Sequence, residues 1–326
     1  MNTGRLTEIF KRKNSALTKV RVPRMQHQKL ESRWGYTDAV HNGDKARREA
    51  SSLIKLFASD LDGTLFNALH EVDGTIRAAL DRTLRAGRHV ALATGRCVRS
   101  TADLGFGSLP LDVVCANGAL ILGPRGQLLR HAPLDPATLE ELLSCFPTVC
   151  ASCIALDGTY VRGSQEQLAS GYLMPRGLVG VLIKRRMQRN AQSGEFHFDR
   201  TASDILRKDV CKVNVREKDP GLRRELDAFV ADHASTITNA SFDGDLFELT
   251  DASVNKGSAV AWLARHLDVG EDEVAVYGDG GNDLAMLSRF EHAYATRGAS
   301  DEAKRAAGSV LGSCAFHAVP RHLLRT

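Results

Sequence analysis

From Leu53 onward the chain alternates short apolar runs, each closed by polar or glycine residues, with stretches whose apolar positions recur at helical spacing. Leu53 to Ala58 reads as a first strand. Ile76, Leu80 and Leu84 share one face of a following helix that Gly87 closes as a C-cap, and Val90 to Ala93 reads as a second strand. Val113 to Ala116 reads as a third. Strand–helix–strand repeats of this kind build a parallel sheet covered by helices on both faces.

The pattern loosens between about Pro133 and Thr250. It predicts a helix near Thr138–Cys145, a strand over Cys211–Val215, a helix over Leu222–His233 and a strand over Leu246–Thr250, the mixture expected of an inserted α+β unit. The first pattern then resumes with a helix from Ser258 to Leu267, a strand at Val274–Tyr277 and shorter units to the end. The expected organisation is therefore an α/β, doubly wound parallel-sheet (Rossmann-like) core over 53–132 and 251–326, split by an inserted α+β cap over 133–250.

Residues 1–52 break from this scheme, being polar with little apolar periodicity. They carry 12 Lys and Arg against 5 Asp and Glu, a net of +7 within a chain whose formal charge is +4, which leaves the globular body at −3. A mildly acidic body does not suit nucleic acid, and the segment is expected to be a flexible basic extension. Leu6, Ile9 and Phe10 are its one hint of an amphipathic targeting helix. The basic run Lys184-Arg185-Arg186 reads as a solvated face.

With 326 residues, 43% of them hydrophobic, the chain can bury more than one core. It contains no run of 18 apolar residues, so no membrane-spanning helix is expected, and the first thirty residues lack the apolar centre of a secretory signal. Seven scattered cysteines suit reduced thiols and a cytoplasmic location. The pair Cys150 and Cys153 has the spacing of a redox motif or half a zinc site, but no second Cys/His pair completes one.

Ligands of open parallel sheets bind beyond the carboxyl ends of the strands, and the residues ending each expected strand form a coherent set. These are Asp60-Leu61-Asp62-Gly63-Thr64, Thr94-Gly95-Arg96, Asn117-Gly118, and Gly278-Asp279-Gly280-Gly281-Asn282-Asp283, with Lys256 opening the helix before the last strand. Gly63 lets the first loop curl so that both aspartates can reach one pocket. Asp60, Asp62, Asp279 and Asp283 on one site would repel unless a cation sat among them, and an all-oxygen set beside phosphate suits Mg²⁺. A calcium loop of EF-hand type is disfavoured because Leu65 and Leu284 stand where it needs glycine. Thr94, Asn282 and Lys256, with backbone N–H groups at loop-to-helix turns such as Gly95, supply donors for phosphate oxygens.

Four segments, Asp60 to Leu65, Ala93 to Arg96, Val254 to Gly257 and Gly278 to Asp283, occur in the order of the haloacid dehalogenase superfamily. The chain resembles its Cof-type phosphatases, which carry a large inserted (C2-type) cap, over about Leu53 to Leu324. The resemblance implies a Mg²⁺-dependent phosphatase with Asp60 as nucleophile and Asp62 as general acid/base. It places Mg²⁺ on Asp60, on the backbone carbonyl of Asp62 and on Asp279, with Asp283 in support. It also places Thr94, Gly95 and Lys256 on the phosphate and Asn282 near it. The implied substrate is a small phosphorylated metabolite, a sugar phosphate or a cofactor phosphate. Two family positions differ: Gly298-Ala299 stands for an Asn-Ala pair, and Ser313-Cys314 for Ser-Asn. A phosphomutase or phosphotransferase could use the same residues. A phospho-accepting receiver protein fits less well, since its acceptor follows a later strand and it has no place for a cap.

Overall fold

The computed structural model of the chain describes residues 53–98, 100–171, 196–241 and 244–326. The extension over 1–52 and the Lys184-Arg185-Arg186 run lie outside the described residues.

The strands form two sheets. The first has eight strands in the order β14-β13-β12-β1-β2-β3-β4-β5. They are β1 (Leu56–Ser59), β2 (His89–Ala93), β3 (Asp112–Cys115), β4 (Leu120–Leu122), β5 (Leu128–His131), β12 (Val274–Gly278), β13 (His292–Ala295) and β14 (Ser309–Val310). Pairing is parallel from β14 through β3, with Ala58 opposite Val276 on one side and Ala91 on the other. Every residue of β1, β12 and β3 is buried, as expected of strands covered on both faces.

Chain order reverses between β1 and β12, the switch point at which doubly wound sheets open a crevice. Leu53 is exposed and the first strand starts three residues later than its apolar run suggests. A further departure is the β4–β5 hairpin, which adds two antiparallel strands beyond β3. Three- and four-residue strands leave too little alternation to read from sequence.

Helix α1 (Gly74–Arg85) buries Ile76, Ala79, Leu80 and Thr83, its N-cap Asp73 accepts from the Ile76 amide, and Gly87 beyond its end takes φ +77°.

The second sheet runs β10-β11-β9-β6-β7-β8. Its strands are β6 (Ala151–Ala155), β7 (Gly158–Arg162), β8 (Phe196–His197), β9 (Val210–Arg216), β10 (Ile237–Asn239) and β11 (Leu246–Asp251), and its pairs are antiparallel except β7 with β8. On one face Cys153, Val213, Val215, Phe247 and Leu249 pack against Leu139, Leu142 and Leu143 of α2 (Pro136–Cys145) and Leu226 and Phe229 of α3 (Pro220–Asp232). The other face carries Ser152, Lys212, Asn214, Arg216, Glu248 and Thr250, with Ser152 and Glu248 each opposite Asn214. Ile154, opposite Lys212, joins the core cluster of the first sheet with Cys115, Ala116 and Val254, so this polar face meets the first sheet rather than open solvent.

None of the seven cysteines forms a disulfide, and burial pushes Cys153 up to about 12, the behaviour of a packed residue of the second sheet. Among the described residues no helix is long and apolar enough to cross a membrane.

Candidate active site

Four strand-end loops, after β1, β2, β3 and β12, and one helix start converge at the switch point. After β1 the backbone turns through two successive i+5→i hydrogen bonds, Leu65 N–H to Asp60 C=O at 3.2 Å and Phe66 N–H to Leu61 C=O at 2.9 Å. Gly63 sits at the apex with φ +77°, and a Cβ there would stand 2.2 Å from Asp279 Oδ2. Any other residue would be strained and would displace the aspartate after β12. The Asp60 amide donates to Tyr277 C=O at 2.9 Å, tying the loop to β12, and the Thr64 hydroxyl donates to Asp279 Oδ1 at 3.0 Å.

Helix α4 (Lys256–His266) begins with a reciprocal cap, the Ser258 amide donating to Asn255 Oδ1 at 2.8 Å and the Asn255 amide to Ser258 Oγ at 3.1 Å. That cap makes Lys256 the first helical residue and aims it inward. It is fully buried, and its Nζ donates to Asp60 Oδ1 and Asp283 Oδ1, each at 2.7 Å. The other oxygen of Asp283 accepts from the amides of Asp279 at 2.9 Å and Gly280 at 3.0 Å. Asp283 is thus saturated by one lysine and two backbone donors. It fixes the loop that presents Asp279.

Oxygens of Asp60, Asp279 and Asp283 lie within 4.8 Å of one another. Burial raises the Asp60 carboxyl above its ordinary range, opposed by the Lys256 ammonium and reinforced by Asp283 and Asp279. Burial and then Asp283 raise Asp279 likewise. Burial works against the Lys256 charge, but Asp283 and Asp60 more than offset it and hold the ammonium protonated. Two buried carboxylates and the half-buried Asp279 against one ammonium leave a deficit of positive charge, which a divalent cation would fill. The donor set fits Mg²⁺: Asp60 and Asp279 keep an oxygen that Lys256 and Thr64 do not use, whereas both Asp283 oxygens are taken.

The Asp62 carboxylate is not part of this cluster. It accepts from Arg96 Nε at 2.8 Å and Nη2 at 2.6 Å, a two-pronged pair, and His70 Nδ1 lies 3.2 Å from its Oδ1. His70 holds a left-handed backbone conformation at φ 55° on the same loop. Asp62 therefore stands at the half-exposed mouth while Asp60 lies at the floor.

Thr94, Gly95 and Asn282 meet through Asn117. The buried Thr94 hydroxyl accepts from the Arg96 amide at 3.1 Å, and Thr94 C=O accepts from the Asn117 amide at 3.1 Å. Asn282 Nδ2 donates to Asn117 Oδ1 at 3.2 Å. That same Oδ1 lies 2.8 Å from where a Cβ on Gly95 would be, so only glycine permits the approach.

Two residues of the second sheet reach this rim and were not expected from the sequence. Lys212 Nζ donates to Gly95 C=O at 2.8 Å and pairs with Glu248 Oε1, while Glu248 Oε2 accepts from Asn117 Nδ2 at 3.1 Å. Their signal was a charge within an apolar strand pattern, Val-Cys-Lys-Val and Leu-Phe-Glu-Leu. The pattern alone does not tell a solvated face from one turned toward a site.

Comparison with known proteins agrees with this architecture. Phosphatase YwpJ of Bacillus subtilis is 28% identical over 293 residues, covering 83% of this chain and all of that protein. HMP-PP phosphatase of Citrobacter koseri is 26% identical over 281 residues, covering 83% and 95%. The solved structure of a haloacid dehalogenase-like hydrolase from B. subtilis superposes with a TM-score of 0.71 at 25% identity, covering 83% of this chain and 99% of that one. The family model of the haloacid dehalogenase-like hydrolases matches residues 57–323, nearly the whole described chain, and the protein belongs to that family.

Proposed function

We propose that the protein is a Mg²⁺-dependent phosphatase that releases phosphate from small phosphorylated metabolites through a phospho-aspartyl intermediate on Asp60. The observation that carries this reading is the buried Asp60–Lys256–Asp283 chain beside Asp279 at the switch point. Lys256 donates to Asp60 Oδ1 and orients the carboxylate that attacks phosphorus. Attack forms the Asp60–phosphorus bond as the ester bond breaks, and the departing alkoxide takes a proton from Asp62. A water molecule then gives its proton to Asp62 and attacks the acyl phosphate, freeing phosphate and restoring Asp60.

Mg²⁺, when bound by Asp60, the Asp62 carbonyl and Asp279, supplies charge neutralisation between the aspartates and the incoming phosphate. Lys256 and the Thr94 hydroxyl bear on the phosphate oxygens, and Asn282 lies at the rim they share. Asp62, held as an acceptor by Arg96, is arranged for the water-activating half. To serve as acid it must exchange Arg96 for the leaving oxygen.

Residues 133–250 act as a cap whose polar face closes over the site, which restricts substrates to small molecules such as sugar or cofactor phosphates. Named phosphatases among the relatives support this reading. Seven cysteines without a disulfide fit a reducing cytoplasm, with neither nucleic acid nor membrane as partner.

The test is phosphate release from a panel of phosphorylated metabolites, with and without chelator. Turnover is expected to vanish in excess EDTA and return with Mg²⁺. Undiminished turnover in chelator would refute the metal assignment, and no release from any ester would refute the phosphatase reading.

A further inference from the structure

Lys212 is 1% exposed in the middle of β9, where an apolar residue would serve packing as well as Val213 and Val215 do on the opposite face. A buried ion pair adds little stability beyond what well-packed apolar residues of similar volume give, because both charges leave water. Its distinguishing contribution lies in the groups it bonds. Lys212 Nζ donates to Gly95 C=O, and its partner Glu248 accepts from Asn117, which in turn accepts from Asn282. The Lys212–Gly95 and Glu248–Asn117 bonds each join the second sheet to a loop that follows a strand of the first.

Those loops are tied to each other through their backbones, Thr94 C=O accepting from the Asn117 amide at 3.1 Å and Arg96 C=O from the Ala116 amide at 2.9 Å, and the second sheet adds side-chain fastenings to both. Gly95 has no side chain to hold it, and Asn117 takes a left-handed conformation at φ 58° with Ala116 beside it at φ 50°. Two consecutive non-glycine residues at positive φ carry strain that surrounding contacts must offset. Glu248 supplies one such contact, reaching the Asn117 side chain from β11.

We propose that Lys212 and Glu248 are positioning residues: they fasten the Thr94–Gly95 and Asn117 loops from the second sheet and thereby set the geometry of the phosphate-binding rim. The rim is complete only when the second sheet is docked. The pair acts through the loops and does not touch the departing group, so its loss affects every phosphate ester alike. The kinetic side of this inference rests on the phosphatase reading. The structural side does not.

The test uses the full chain carrying Lys212→Met together with Glu248→Gln, which removes both charges at once and keeps an acceptor for Asn117. Hydrogen exchange of the amides in 94–97 and 116–118 is followed by mass spectrometry, alongside that of β1 and β12. Exchange is expected to quicken in the two loops and stay unchanged in the strands. Displacing a binding loop by about 1 Å is worth roughly 10–100-fold in rate, so kcat/KM should fall by that order. The factor should be the same for p-nitrophenyl phosphate and for an alkyl phosphate, and inhibition by inorganic phosphate should weaken in step.

A folded double variant with wild-type exchange in the loops overturns the proposal. So does a loss confined to one of the two esters, which would make Lys212 a contact of the leaving group, or quickened exchange with unchanged kcat/KM. Should the double variant not fold, Glu248→Gln alone is read the same way with a smaller expected change. If the wild-type protein releases no phosphate, the phosphatase reading fails while the exchange measurement still decides the fastening.

Discussion

In the eight-stranded sheet the central strands are apolar on both faces, and the candidate-site side chains Asp60, Thr94 and Asp279 stand just past their carboxyl ends. In the six-stranded sheet the polar residues that reach the site, Lys212 and Glu248, stand mid-strand on a single face, backed by the apolar cluster behind them. A strand buried on both sides has no polar position to spare, so its chemistry is displaced into the following loop. A strand covered on one side can devote every second residue to a partner surface. The first sheet therefore gathers its candidate-site residues where the backbone turns, and the second spreads its polar partners along the pleat.

The strongest way to break this comparison is at the end of β1. Asp60→Asn removes the attacking oxygen and should lower turnover by more than about 10⁴-fold, as loss of a nucleophile does elsewhere. The melting temperature should hold or rise, because one of three crowded carboxylates is gone. Near wild-type release of phosphate by this variant would exclude Asp60 as nucleophile. Asp62→Asn, two residues on, should instead cost about 10²–10⁴-fold, the usual worth of acid–base assistance. With a good leaving group it should still capture phosphate. Mass spectrometry of acid-quenched protein is expected to find an added phosphoryl group in Asp62→Asn and none in Asp60→Asn.

The second sheet is sharpened by adjacent residues of β9 that face opposite ways. Val213→Ala opens a cavity in the apolar cluster and should lower unfolding free energy by about 1–3 kcal/mol. Its kcat/KM at 25 °C should match the wild type, whereas the Lys212 variant should show the reverse. A Val213→Ala protein with impaired turnover and unchanged denaturant midpoint would erase the distinction between the two faces.

The smallest effect lies at the opposite end of the first sheet, where Asp112 begins β3. Burial raises its carboxyl to about 7, its Oδ1 has no hydrogen-bond partner, and burial also lowers the pKa of nearby His89, 4.0 Å from Oδ2. The folded value lies above the ordinary carboxylate value near ~3.9. The fold thus favours the protonated form, so this contribution is complete below about pH 4 and is lost as pH rises toward 7. Asp112→Asn should accordingly gain in urea midpoint relative to wild type from pH 5 to pH 8. A constant difference across that range would mean that the carboxyl titrates normally.

His317 occupies a left-handed position at φ 54°, and its Nε2 lies 2.6 Å from Asp73, the residue that caps α1. The contact with Asp73 tethers a backbone conformation that glycine would adopt without help. Close to it, Cys314–Phe316 packs against the loop that follows Asp60.

The sequence by itself determined the order of elements around the first sheet and the loops that carry Asp60, Thr94, Asp279 and Lys256, because doubly buried strands, helix caps and turn glycines are local signals. Strand and helix positions agree with the apolar pattern to within a few residues, Lys256 opens its helix as expected, and Gly87 takes the left-handed conformation of a helix end. Only the tertiary structure decided that Asp283 is saturated by Lys256 and two amides, that Asp62 turns to Arg96 and His70, and that Lys212 and Glu248 face the site. These choices depend on which groups lie within about 3 Å across separations such as the 196 residues between Asp60 and Lys256. Local periodicity records which face of an element is polar. What that face meets is fixed by packing between elements distant in the chain.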